Sequence, residues 1–84
     1  MAILHQPEQC RFIYQADGAE ARLDYRLLPS AGRPAVDFYH TFVPPAFRGQ
    51  GIAAALTAAG LDWARQQQLE IYASCSYVAV QLRR

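Results

Sequence analysis

The sequence predicts an α+β fold: a mixed, mostly antiparallel sheet built in the order β-β-β-α-β-α. Three observations predict it. Phe12 and Tyr14 occupy alternate positions of one run, Asp17-Gly18 follows at once, and residues 21–28 alternate again; a turn dipeptide between alternating runs is a strong hairpin signal. Residues 35–43 are rich in β-branched and aromatic side chains and stop at Pro44-Pro45, neither of which can donate to a sheet ladder. The period then changes: Ile52, Leu56, Ala59 and Trp63 recur at helical spacing.

Taken in order, the first strand carries Phe12 and Tyr14. The second places Ala21, Leu23, Tyr25 and Leu27 on one face and Arg22, Asp24 and Arg26 on the other, the period of a half-buried antiparallel strand. Residues 29–34 form a turn by composition, and residues 35–43 a central strand. The helix that follows is dense in Ala and Leu, with Leu61 and Ala64 beside its stripe and Trp63 in the core; Arg65 and Gln66-Gln67-Gln68 close it. Residues 69–73 read as a short buried strand. Residues 77–82 begin a last helix, with Tyr77, Val78 and Val80 available for packing. Strand, helix and strand form a crossover unit, so its two strands should lie parallel. His5 and Cys10 fall in a polar N-terminal arm and receive no role.

At 84 residues the chain is expected to form one domain, residues 1–84, with a thin core. Its 52% hydrophobic and 18% charged residues argue against disorder. A net charge of +1 gives no support for a nucleic-acid or membrane-surface partner, which usually needs a basic face. Cys10 and Cys75 share no metal-ligand spacing with His5 or His40, so no metal site is expected and both thiols should be reduced. With no basic, apolar leader and no run long enough to span a bilayer, a cytoplasmic location is the expectation.

The informative segment lies between the third strand and the long helix: Pro44-Pro45-Ala46-Phe47-Arg48-Gly49-Gln50-Gly51-Ile52-Ala53. Small residues on a first helical turn leave amides unshielded. Those amides have no intrahelical acceptor, and the helix dipole adds roughly half a positive charge there. A phosphate or pyrophosphate fits such a place without lysine. The segment is not a P-loop, because the Gly-Lys-Ser/Thr ending is absent. It is not the dinucleotide fingerprint either, because the glycine spacing differs. Taken alone, a Gly-x-Gly at a helix start is more often simple turn chemistry.

Arg48-Gly49-Gln50-Gly51-Ile52-Ala53 resembles the Gln/Arg-x-x-Gly-x-Gly/Ala signature of the GNAT N-acetyltransferase superfamily, and the strand-loop-helix placement agrees. With His40-Thr41-Phe42-Val43-Pro44-Pro45 and Cys75-Ser76-Tyr77-Val78, the chain is similar to a minimal YjdJ-type subfamily, from about Arg11 to Arg83. It departs from those members in stopping at Arg84. The resemblance implies a minimal GNAT-like fold whose parallel strand pair splays around an acyl-CoA site. It implies that the amides of Arg48, Gly49, Gln50, Gly51, Ile52 and Ala53 bind the CoA pyrophosphate. The backbone of Phe42 and Val43 would pair with pantetheine, and Cys75 would lie near the acyl group. Acetyl-CoA would be the co-substrate, and a small-molecule or protein amine the acceptor.

Three side chains are candidates for chemistry within that frame. Cys75 is a nucleophile or pocket-lining thiol; as a bland alternative it is a small buried hydrophobe. His40 is a general base for an amine or for Cys75, or else a hydrogen-bonded core histidine. Tyr77 protonates the departing CoA thiolate, a role the resemblance implies, or packs on Trp63. A domain this small offers little acceptor wall, so a second subunit could complete the site as a homodimer. The alternative function is a non-catalytic CoA-binding module acting as a sensor or partner subunit.

Overall fold

A computed structural model describes residues 2–29 and 32–83. Among them β1 spans Leu4–Gln6, β2 Arg11–Ala16, β3 Ala19–Leu28, β4 Ala35–Phe42 and β5 Glu70–Ala73, while α1 spans Ile52–Gln66 and α2 Ser76–Leu82. The strands lie side by side in chain order. β1 to β4 are antiparallel neighbours, and β4 and β5 are parallel. The connection through α1 is thus the crossover that strand-helix-strand spacing predicts. At the hairpin, Asp17 (φ 52°) and Gly18 (φ 76°) are both left-handed, as a two-residue type I′ loop requires. Residues 30 and 31 of the expected 29–34 turn lie outside the described residues.

One face of the sheet packs against α1. Leu23, Val36 and Phe38 meet Leu56, Leu61 and Ala64 there, and Val78 of α2 joins the same core. Gly60 lets the helix come close: a Cβ at that position would stand 2.9 Å from Leu23 Cδ2 and 2.9 Å from Phe38 Cε1.

The structure departs from the sequence reading in the N-terminal arm. Residues 4–6 form an additional strand, in which the half-buried His5 ring packs among aromatic side chains. Its ring stacks on Phe12 at 4.1 Å and meets the edge of Trp63 at 4.9 Å, while Nε2 lies 2.7 Å from the Tyr25 hydroxyl. Trp63 is accordingly half-buried, closing a box with His5, Phe12 and Tyr25 rather than packing on Tyr77.

A second departure matters more for function. Asp24 pairs with His40 but Tyr25 pairs with Phe38, so Tyr39 is an extra residue in β4, a β-bulge. The alternation of β4 therefore reverses at Tyr39. Leu27 departs too: it pairs with Val36 yet is 57% exposed. Pairing of β2 with β3 ends at Asp24, leaving β3 uncovered on that side. On α2, Val78 is buried, whereas Val80 points to solvent.

Candidate functional site

A 3-10 turn, Pro45–Phe47, carries the chain from β4 to α1, anchored by the buried Phe47 ring set edge-on to Tyr14 at 5.1 Å. Its own hydrogen bonds consume two of the six amides that the sequence reading assigned to pyrophosphate. The Arg48 amide donates to the Pro45 carbonyl (3.2 Å) and that of Gln50 to the Phe47 carbonyl (3.3 Å). The Gln50 side chain donates to the Ala46 carbonyl at 3.2 Å, tightening the same turn. Gly49 (φ 80°) and Gly51 (φ 74°) are left-handed, and Gly51 is the residue that caps α1.

Among the described residues, the amides of Gly49, Gly51, Ile52, Ala53 and Ala54 find no backbone acceptor. They gather at the positive end of a 15-residue helix. The space before them is open: a Cβ at Gly49 or Gly51 would find no protein atom within 4 Å. An adjoining hollow of about 240 Å³ is lined by Val43, Phe47, the glycine turn, Ala53, Ala54 and Tyr77. These residues suit a polyanion on the amides with an apolar arm beside it.

The second part of the site is a split in the sheet. Parallel pairing of β4 and β5 ends at Phe38 and Ala73, with a last bond from the Cys75 amide to the Phe38 carbonyl at 3.0 Å. β4 continues to Phe42 while the other chain turns into α2. From Tyr39 onward, β4 has no neighbouring strand on that edge among the described residues. The point of divergence is fixed by Asp37, whose buried carboxylate accepts from the Ser74 amide and hydroxyl at 2.8 Å each and meets Arg26 at 3.3 Å.

Just past this clamp, Cys75 Sγ lies 3.4 Å from Thr41 Oγ1. Burial pushes the Cys75 thiol up. The Thr41 hydroxyl and the amides of Val78, Tyr77 and Thr41 together outweigh burial and hold it below its ordinary value. All of these groups favour the thiolate by donating toward sulfur.

The candidate residues thus fall into three places. Val43, Gly49, Gly51, Ile52, Ala53 and Tyr77 gather around the hollow. Cys75 stands at the head of the split. His40 is exposed on the opposite face of the sheet, paired with Asp24, whereas Thr41 pairs with Leu23 on the helix side. Unbroken alternation from Val36 and Phe38 would have put His40 beside Cys75; the bulge at Tyr39 puts Thr41 there instead. Phe42 is exposed on the far face under the Arg22 guanidinium, 5.6 Å from the ring centroid. Thr41, Asp37 and Ser74 were missed by the sequence reading. Their signal was the polar residues inside an otherwise apolar strand and beside a cysteine. Among the described residues no cluster of His, Cys, Asp and Glu could hold a metal, and no helix is long and apolar enough to cross a membrane.

An amide-bearing glycine turn at a helix start, set beside a parallel pair that parts, defines an α+β domain built to take a polyanion with an extended arm. The chain belongs to the GCN5-related N-acetyl-transferase family, whose description it matches over residues 11–84. It is 34% identical over 74 residues to Protein NATD1 of Xenopus tropicalis, and 34% identical over the same length to that of Homo sapiens. The match covers 88% of this chain and 67% and 65% of those relatives, so the chain spans about two thirds of their length. Among solved structures it resembles the aminoglycoside N-acetyltransferase AAC(6′)-Iy in complex with CoA, with a TM-score of 0.55 and 32% identity, covering 79% of this chain and 55% of that one. Family and neighbour together support acetyl-CoA-dependent acetyl transfer as the general chemistry.

Proposed function

We propose that this chain binds acetyl-CoA across the glycine turn and the β4–β5 split and transfers the acetyl group to an amine. The observation that carries the reading is the convergence of two unsatisfied surfaces. Among the described residues, the amides of Gly49, Gly51, Ile52 and Ala53 lack backbone acceptors, and the neighbouring edge of β4 lacks a strand. In this reading the pyrophosphate takes the amides, aided by the helix dipole. Pantetheine runs past Phe42 and Val43 as an added strand would, which brings the thioester to Cys75.

The chemistry follows from the groups at the split. The Cys75 thiolate attacks the thioester carbonyl carbon, the bond from that carbon to the CoA sulfur breaks, and CoA leaves with the proton of the Tyr77 hydroxyl. Tyr77 recovers its proton from water. The acceptor enters from the far face, its nitrogen attacks the carbonyl carbon of the acetyl group on sulfur, the bond from that carbon to the Cys75 sulfur breaks, and Cys75 departs as thiolate while His40 takes the amine proton. A direct attack of the amine on bound acetyl-CoA is the competing route.

Intact mass after incubation with acetyl-CoA separates the outcomes, with Cys10→Ser as background so that one thiol can react. One acetyl group, lost on Cys75→Ser and discharged by an amine panel, is the expected result. Transfer at full rate by Cys75→Ser would remove Cys75 from the route. CoA bound with no thiol released in the presence of any amine would make the protein a binding module.

A further inference from the structure

We infer that Thr41 is the positioning residue of Cys75: its hydroxyl, on the strand across the split, holds the sulfur in place and sets how much of it is thiolate at neutral pH. The inference rests on the reading of Cys75 as the acetyl-accepting thiol, but the ionisation it concerns can be measured without acetyl-CoA.

Three features carry it. The Thr41 hydroxyl is 3.4 Å from Sγ. A thiolate has no proton to give, so once Cys75 ionises Thr41 must be the donor. The bulge at Tyr39 brings Thr41 to the helix face of β4, where Cys75 stands. The backbone that carries the sulfur is also held: the Ser74 amide and hydroxyl are clamped by Asp37, and the Cys75 amide by the Phe38 carbonyl. A hydroxyl at such a distance acts on a fixed target.

The other groups facing the thiol are few. From α2 come the amides of Tyr77 and Val78, and from β4 the Thr41 amide, all of which hold the thiol down alongside the hydroxyl. Asp37 is committed to Ser74 and Arg26, His40 is on the far face, and the Tyr77 ring lines the hollow. Thr41 is therefore the side chain through which this thiol is tuned.

The test is the rate of Cys75 alkylation by iodoacetamide as a function of pH, in a Cys10→Ser background, without acetyl-CoA. Thr41→Val keeps the shape and removes the hydroxyl, and should raise the midpoint by about one pH unit, cutting the rate at neutral pH up to roughly tenfold. Thr41→Ser keeps the hydroxyl and should keep the parent midpoint. An unchanged midpoint in folded Thr41→Val overturns the inference. So does a rise in Thr41→Ser, which carries the test by itself if the valine variant fails to fold. A shifted midpoint in a protein that never takes up an acetyl group would instead sink the transfer reading and leave Thr41 in its role.

Discussion

Gly51→Val separates the strain of the glycine turn from its use as a binding surface. Gly51 has φ 74° and caps α1. A side-chain-bearing residue in that region costs about 1–2 kcal/mol. No packing cost adds to it, because a Cβ there meets no protein atom within 4 Å. For a domain of this size each kcal/mol lowers Tm by about 4–8 °C, so a fall of roughly 4–16 °C is expected with the fold kept. The valine methyl groups occupy the space in front of the Ile52 and Ala53 amides. Losing one charge-assisted hydrogen bond, at about 1.5–3 kcal/mol, weakens CoA binding about ten- to a hundredfold. Gly18→Val is the matched control. Its φ is 76°, its Cβ space is equally open, and it lies in the β2–β3 hairpin turn. Both variants should lose similar stability by thermal melting, and calorimetric titration should find CoA binding impaired in Gly51→Val alone. Equal affinities in the two variants would refute the amide turn as the phosphate site.

Two further outcomes follow from buried groups. Asp37→Ala leaves the Ser74 amide and hydroxyl without their acceptor, and should cost about 2–3 kcal/mol in urea unfolding; an unchanged midpoint would mean that the divergence of β4 and β5 is fixed elsewhere. Stability should also fall at both ends of the pH scale. Burial lowers the His5 pKa below 6.5, so the unfolded chain binds the proton more readily; the contribution is whole above 6.5 and lost as pH drops below it. Tyr25 is pushed up to about 12, first by burial and then by Cys10, from 10.0; the folded state keeps a proton the unfolded chain sheds, so that stability is present below pH 10 and lost as pH climbs through 12. Urea midpoints across pH, with phenolate absorbance at the alkaline end, read both. A flat profile from about pH 7 to 5.5 would contradict the His5 docking of β1.

Periodicity and turn chemistry were enough to read most of the fold. The Asp17-Gly18 loop, the stop at Pro44-Pro45 and the change from period two to helical spacing each report a local backbone preference, and each element stands where those residues put it. What escaped depended on contacts between distant residues. His5 looks polar in sequence, and becomes part of an aromatic box once Phe12, Tyr25 and Trp63 surround it. The bulge at Tyr39 has no turn residue to mark it, yet it exchanges His40 for Thr41 beside Cys75. The glycine turn was legible as a place of bare amides. Which of those amides stay bare was not, because the inward bonds of Arg48 and Gln50 arise from a 3-10 turn that the sequence reading had not resolved.

The most direct test of the account is a calorimetric titration of the wild-type chain with acetyl-CoA, paired with a thermal melt at saturating ligand. The account predicts a saturable heat with one site per chain. At a hundred times the dissociation constant, about 2.7 kcal/mol of added stability should raise Tm by several degrees. No heat and an unmoved Tm at millimolar acetyl-CoA would contradict it.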